Sequence, residues 1–342
     1  MRDVMMDGAC SRIGLKTVAE ERTTDKSRAT QGLFQAPFYA YHHFTKHTVA
    51  KLMSYHHHLD WANQPDPFRR YATSLELELP RSLGPSKIGY FPALEAMLVG
   101  QGIERDCELP DPQAADAVFL SRLLFYSMAI SAWKEVSGGL DRWSLRVNPS
   151  SGNLHPTETH LLVHSFQGLE PGAYHYYVRT HALEQRAAGA VAQRIWEPLT
   201  GSSTAPPAVV CLTSIFWRES WKYRDRGYRY CQHDMGHAMA AVTLSAAVLG
   251  WRAEILGEFP DMDAARLLGL SGSDEKPAIC IGLYPGLKPP AQKRSACPDA
   301  DLWSRDEGAF LGTPNALSSE QVGYPSIDHV YEATCLSRHS WR

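Results

Sequence analysis

The runs Gly172-Ala-Tyr-His-Tyr-Tyr-Val178 and Ala182-Leu-Glu-Gln-Arg186 are separated only by Arg179-Thr-His181. So short a connection makes a hairpin, because a parallel crossover takes about a dozen residues or more. The flanking runs Thr157 to Ser165 and Pro207-Ala-Val-Val-Cys-Leu-Thr-Ser214 are β-rich, the second being the β-branched kind that fills a buried strand. Ala253-Glu-Ile-Leu-Gly257 reads as a short strand and Ala278-Ile-Cys-Ile-Gly-Leu283 as the last core strand. Between them lie helical patterns. One spans roughly 114–134. Another, over 219–250, is one long helix or two joined ones, with Met235, Ala238, Met239, Val242, Ser245 and Leu249 at helical spacing and Gly250 at the C-cap. A third runs from a capping Asp261 to Leu268, and a fourth lies near 189–197. Strands that alternate with helices but include a hairpin predict an α+β sheet with helices packed around it, and exclude a pure βαβ winding.

The rest of the chain divides by composition. Residues 1–36 carry charge, Thr and Ser without a usable period and are expected to be disordered. Residues 37–113 read as an N-terminal cap: a helix from Tyr41, then the Pro-punctuated loop Asp60-Trp-Ala-Asn-Gln-Pro-Asp-Pro-Phe-Arg-Arg-Tyr71, then a Pro/Gly-rich surface wrap over 80–113. The main domain is expected over 114–290. Residues 291–342 form an extended tail, with a helix starting near Ser326.

Composition narrows the function classes. The 342 residues include 34 basic and 37 acidic side chains, a net charge of −3, which offers no footprint for nucleic acid or an anionic membrane. Met235 to Trp251 lacks charge but is shorter than a membrane span and contains His237. The seven scattered cysteines form no Cys-x-x-Cys pair and fit a reducing cytoplasm.

Two stretches carry the chemistry. Arg146-Val-Asn-Pro-Ser-Ser-Gly-Asn-Leu-His-Pro156 combines small residues, hydroxyls and an arginine ahead of a strand. Backbone N–H groups can approach an anion there and Arg146 can add a charged fork. Rossmann and Walker spacings are absent. The plain alternative is a Pro/Ser/Gly turn. The second stretch is Ser220-Trp-Lys-Tyr-Arg-Asp-Arg-Gly-Tyr-Arg-Tyr-Cys-Gln-His-Asp-Met-Gly-His237. Lys222 and Tyr223, among cations, are candidates to move a proton, set against the alternative of a solvated helix start. His233 and His237 have metal-ligand spacing, but Asp234 stands where a metalloprotease has Glu and no third ligand is evident, so no metal is expected. His42, His43, His47, His56, His57 and His58 read as surface histidines.

The segment Arg146 to Gly152 resembles the flavin-binding Arg-x-x-Pro-Ser-x-Gly loop of the nitroreductase superfamily. Lys222-Tyr223 with its Arg/Tyr run is similar to the signature of the SagB-type dehydrogenase branch. Tyr41–Tyr71, Leu249 to Gly257 and Tyr284-Pro-Gly-Leu-Lys-Pro289 look like further passages of the family, in the expected order over roughly 41–71 and 115–290. The resemblance implies a nitroreductase-like fold, a central, mostly antiparallel sheet flanked by helices, with FMN as cofactor. It implies flavin contacts from Arg146, Ser150, Ser151, Gly152, Asn153, Gly257 and Lys288, and proton transfer by Lys222 and Tyr223. The activity implied is an FMN-dependent oxidoreductase acting on a small molecule or peptide, with azoline oxidation as the branch's chemistry. The seam that holds the flavin implies a homodimer or pairing with a second nitroreductase-like half. One departure is the missing Arg-Ser-x-Arg phosphate motif, for which Ser121-Arg122 is the nearest candidate. Some members carry two halves in tandem, and this chain reads as ending where a second half would begin, near Ser326 to Glu332. The rival reading is a flavin-fold scaffold without turnover that binds a partner.

Overall fold

The computed structural model describes residues 36–53, 58–81, 88–136, 141–189, 192, 205–257, 259–288 and 310–336. In chain order the elements are α1 (Pro37–Thr45), α2 (Val49–Met53), β1 (Tyr71–Ala72), β2 (Glu76–Glu78), α3 (Tyr90–Gly100), α4 (Ala117–Ser127), β3 (Ile130–Val136), β4 (Asp141–Arg146), β5 (Thr157–Val163), β6 (Gly172–Tyr177), β7 (Ala182–Ala187) and β8 (Ala208–Ile215). There follow α5 (Phe216–Tyr223), α6 (Gly227–Val248), β9 (Trp251–Ile255), α7 (Asp261–Leu267), β10 (Glu275–Pro285), β11 (Thr313–Pro314) and α8 (Pro325–Thr334). The chain forms two compact units, one of Met1–His57 with Pro325–Thr334 and one of His58–Tyr324 with Cys335–Arg342. In the smaller unit α1 packs on α8. His42, His43 and His47 are exposed there, and the expected disorder of residues 1–35 concerns residues outside those described.

The larger unit is built on a seven-stranded antiparallel sheet of order β2-β7-β6-β5-β8-β10-β9. The β6–β7 hairpin expected from the sequence is present, and β8 is buried along its whole length. Both of its faces are covered, which is why its sequence runs apolar without alternation. On one face α4 and α6 pack Leu120, Leu124, Ala238, Val242 and Ala246 against Leu161, Val163, Val210 and Leu212. Small residues on α6 let it lie close to the sheet. On the other face α7 and extended segments cover Leu162, Val209, Cys211 and Cys280.

Several expectations need correction. The helix read over 114–134 ends at Ser127, and Ile130–Val136 pairs with Asp141–Arg146 as a separate hairpin. All of β3 beyond Ile130 is exposed, so its apolar residues lack the one-sided pattern that marks a strand. The stretch 80–113 contains α3, which buries Ala93 and Ala96. Pro92 lies in its first turn, where its missing N–H breaks no helical bond. Asp261 is the first residue of α7 and not its cap; its carboxylate accepts from the Leu336 N–H at 2.8 Å. The helix expected at 189–197 lies mostly outside the described residues. Gly250 follows the C-cap of α6 with φ +76°, as read.

Candidate functional site

The Ser/Gly loop joins the exposed β3–β4 hairpin to β5, and α5 follows β8, the neighbour of β5 in the sheet. Thr157 pairs with Ser214, so the loop and the start of α5 emerge side by side. Within the loop Ser150 Oγ accepts from the His155 N–H at 2.8 Å, and Asn153 Nδ2 donates to the Ser144 carbonyl at 2.9 Å. Gly152 sits at φ +63°, the left-handed region that glycine enters freely. A Cβ at that position would lie 2.7 Å from Tyr223 Oη and 3.0 Å from Lys222 Nζ. The fold therefore brings the two sequence motifs into contact, and the loop backbone is the surface on which the Lys-Tyr pair rests.

The burial pattern of α5 explains how that pair is held. Trp217, Arg218, Glu219, Ser220 and Trp221 are buried, and the two ends, Phe216 and the Lys222-Tyr223 pair, are half-exposed. Arg218 donates to the Asp66 and His155 carbonyls at 2.9 and 2.8 Å and pairs with Glu158 at 2.5 Å. Burial alone would raise Glu158, but Arg218 and His175 beside it hold it at about 2. Trp221 Nε1 donates to the Asp60 carbonyl at 2.9 Å. After Tyr223 the chain turns sharply at Arg224, φ +51°, into α6. Gly227 permits the crossing: a Cβ there would meet Ser220 N at 2.7 Å.

Below the loop lies a carboxyl pair that sequence reasoning missed. Asp234 on α6 accepts from both the Ser151 N–H, at 3.0 Å, and Ser151 Oγ, at 2.9 Å. Glu219 on α5 is fully buried, and neither of its carboxyl oxygens has a hydrogen-bond partner of good geometry. Burial first, and the facing Asp234 second, push Glu219 up to about 10, so it is a neutral acid at pH 7. Burial also raises Asp234, against the bonds from Ser151 and Ser150. The only sequence hint was Asp234 in place of a metalloprotease glutamate.

The other site residues are placed as follows. Arg146, at 7% exposure, donates to the Pro67 carbonyl at 2.5 Å and the Thr157 carbonyl at 3.5 Å, and lies over the Phe68 ring. Burial lowers it to about 10, with Glu158 opposing. Gly257 is exposed just beyond edge strand β9. Lys288 is exposed beyond the far end of β10. Since Ser214 at the loop's level pairs with Lys276, the nine residues from there to Pro285 put Lys288 roughly 30 Å up the sheet. The structure thus gathers Ser150, Ser151, Gly152, Asn153, Lys222 and Tyr223, and leaves Lys288 apart. Ser121 Oγ is buried and bonded to the Pro80 carbonyl at 2.5 Å and to His181 Nε2 at 2.8 Å, so it offers nothing to a phosphate. His233 and His237 are exposed, and among the described residues no three His, Cys, Asp or Glu side chains are grouped to hold a metal ion. Among them too, no helix is long and apolar enough to cross a membrane.

Residues 131–283 match the family model described as "Nitroreductase family". This chain carries a nitroreductase-family domain. The domain includes the Ser/Gly loop and the Lys-Tyr pair. The chain is similar to the trifolitoxin-processing protein TfxB of Rhizobium leguminosarum bv. trifolii, with 35% identity over 109 residues, 30% of this chain and 29% of that protein. It is also similar to the nitroreductase-type protein MJ1384 of Methanocaldococcus jannaschii, with 26% identity over 160 residues, 44% of this chain and 72% of that protein. Among solved structures, a protein of Anabaena variabilis described as a nitroreductase superposes with a TM-score of 0.60 and 26% identity, covering 89% of this chain and 55% of that one. The chain therefore spans under a third of TfxB and about half of the Anabaena protein. The fold class read from the sequence, an α+β nitroreductase-like sheet flanked by helices, is the one observed.

Proposed function

We propose that this nitroreductase-family chain is an FMN-dependent oxidoreductase of the SagB-type dehydrogenase branch. The observation that carries the reading is the seating of Lys222 Nζ and Tyr223 Oη directly on the backbone of Gly152. When bound, FMN takes up the hydride equivalent that the protein residues cannot accept themselves. The chain's own contribution is to hold Lys222 and Tyr223 half-exposed beside the loop, where one gives or takes the substrate proton. The donor set fits the polar edge of a flavin through Gly152 and Lys222, with the second amide hydrogen of Asn153, whose backbone N–H and first amide hydrogen already donate to the Ser150 and Ser144 carbonyls. It does not offer a phosphate nest at Ser151, whose donors are already bonded to Asp234. Phosphate contact falls instead to Lys288, with Gly257 open to the ring. Arg146 and Ser150 keep the loop in place.

Lys288 and the Ser/Gly loop are too far apart in one domain to meet one phosphate. A homodimer, or a second nitroreductase-like half, would supply the two groups to one flavin. The SagB-type resemblance of the Lys222-Tyr223 stretch supports a peptide substrate and azoline oxidation, and the likeness to a protein named for trifolitoxin processing is in keeping with a maturation role.

The inward bonding of Arg146 and Ser151 favours one second reading, a flavin-fold scaffold without turnover. Purification of the chain, heat release of any bound chromophore and its chromatographic identification separate the two. The enzyme reading expects FMN. Recovery of FAD, or no flavin after saturation with FMN, overturns it.

A further inference from the structure

We propose that Glu219 and Asp234 form a proton-sharing carboxyl pair that clamps the Ser150–Gly152 loop against Lys222 and Tyr223, which makes them positioning residues for the reaction proposed above. The inference rests on that reading only for the reaction served; the pair itself stands on geometry.

Three elements meet at the pair. Asp234, on α6 and only 1% exposed, grips the loop by the Ser151 N–H and hydroxyl. Glu219 lies one turn ahead of Lys222 on α5, so both project to the same side of the helix. The groups facing Glu219 are Asp234 first, then Lys222 and Ser150, and the buried Cys231 of α6 feels its charge. Two carboxylates buried together cannot both be ionised; one proton held between them removes the repulsion. The proton resides on Glu219, because Asp234 must remain an acceptor for two Ser151 donors. A neutral Glu219 can donate to Asp234 and remove its own lack of a partner. Ionisation of Glu219 would set two negative charges side by side under the loop. The α5–α6 crossing would be forced apart and Gly152 would lose its seat on the Lys-Tyr pair.

The sign of the pH effect follows. Glu219 has its folded pKa raised, to about 10, above the ordinary value of 4.5. The stability it contributes is complete below about pH 4.5 and declines as pH rises towards 10. Glutamine cannot ionise and still donates. The Glu219→Gln protein and the wild type should therefore melt alike at pH 5, and the variant should melt at the higher temperature at pH 9. FMN titration by fluorescence quenching gives the second readout. Glu219→Leu, which cannot donate, and Asp234→Asn, which loses an acceptor, should each weaken FMN binding tenfold or more. Glu219→Gln should recover most of what Glu219→Leu loses. A melting-temperature difference between wild type and Glu219→Gln that is the same at pH 5 and pH 9 would overturn the proposal, as would wild-type FMN affinity in Glu219→Leu. If the wild type itself binds no FMN, the proposed function fails while the melting comparison still judges the pair. If Glu219→Leu does not fold, the Gln comparison decides alone.

Discussion

Gly152→Ala is the most direct probe of the contact between the two motifs. The backbone cost comes from φ +63°, where a Cβ is disfavoured by roughly 1–2 kcal/mol. The steric cost comes from a new Cβ only 2.7 Å from Tyr223 Oη and 3.0 Å from Lys222 Nζ. Both are ends of flexible side chains, so they move aside by somewhat under an ångström and do not unfold the domain. The melting temperature should fall by about 2–8 °C, taking roughly 2–4 °C per kcal/mol for a domain of this size. Misplacement on the scale of an ångström can remove about a hundredfold in rate, so oxidised flavin in the variant should be reduced by substrate, under anaerobic conditions, far more slowly. Two controls separate the causes. Gly152→Asn, which tolerates the left-handed region, should recover part of the melting temperature but not the rate. Gly152→Ala combined with Tyr223→Phe should be less destabilised than the sum of the two changes, because the clashing oxygen is gone. Strict additivity in that cycle, or a Gly152→Ala protein with unaltered melting and rate, would refute the contact as drawn.

Other outcomes follow from the same geometry. Arg146→Ala removes charge-assisted bonds to the Pro67 and Thr157 carbonyls, worth roughly 1.5–3 kcal/mol; it should therefore lower the urea midpoint and the FMN affinity more than Lys222→Ala, and equal FMN dissociation constants for the two would contradict that. Lys222→Ala should instead slow substrate turnover while the melting temperature stays within about 2 °C, a surface-sized effect. Glu158 is held at about 2, below its ordinary 4.5, and buried His155 is lowered to about 3. Both contribute stability that is present at neutral pH and lost on acidification, so the urea midpoint should fall steeply from pH 5 to pH 3, and a flat profile would count against the buried network. Asp116→Ala deletes the cap on the Phe119 N–H, costing about 1 kcal/mol, and should leave FMN affinity untouched.

The sheet was legible because its central strands obey simple rules. β8 is buried on both faces and is written in β-branched and small apolar residues; β6 and β7 are too close in sequence to pair any other way. The β3–β4 hairpin was not legible, since Trp133, Val136 and Trp143 are apolar residues on an exposed ribbon and carry no inward–outward contrast. The meeting of Gly152 with Lys222 and Tyr223 could be anticipated only from the order of motifs in a family. Nothing local announces it, because it depends on β5 lying beside β8. Glu219 and Asp234 were illegible for a stronger reason. Each looks like a surface charge on a helix, and the sharp turn at Arg224 that faces them to each other is made by a residue with no intrinsic preference for φ +51°.

The same physics explains why one sheet face is dry and the other full of charge. Helices α4 and α6 satisfy their own backbone groups and present only side chains, so the face beneath them needs nothing but packing. The opposite face, near the start of β5, is covered in part by extended chain at 66–72 and 310–317, whose N–H and C=O groups must find partners once buried. The sheet supplies them. Glu184 accepts from the Tyr71 N–H at 2.9 Å, Arg69 donates to the Asn315 carbonyl at 2.8 Å, and Arg186 to the Leu311 and Gly312 carbonyls. The charges so introduced must then neutralise one another. His160 meets Glu275 at 2.6 Å, His175 lies between Glu158 and Glu184, and Arg69 reaches Asp274 and Glu275. Buried pairs of this kind return little net stability after desolvation. What they return here is position: Arg218, the last member, fixes both the end of the Ser/Gly loop at His155 and the start of the helix that carries Lys222 and Tyr223. The strap that covers the sheet and the residues that would carry the reaction are thus held by one set of charges, and a change that loosens the strap should be felt at Gly152 without touching it.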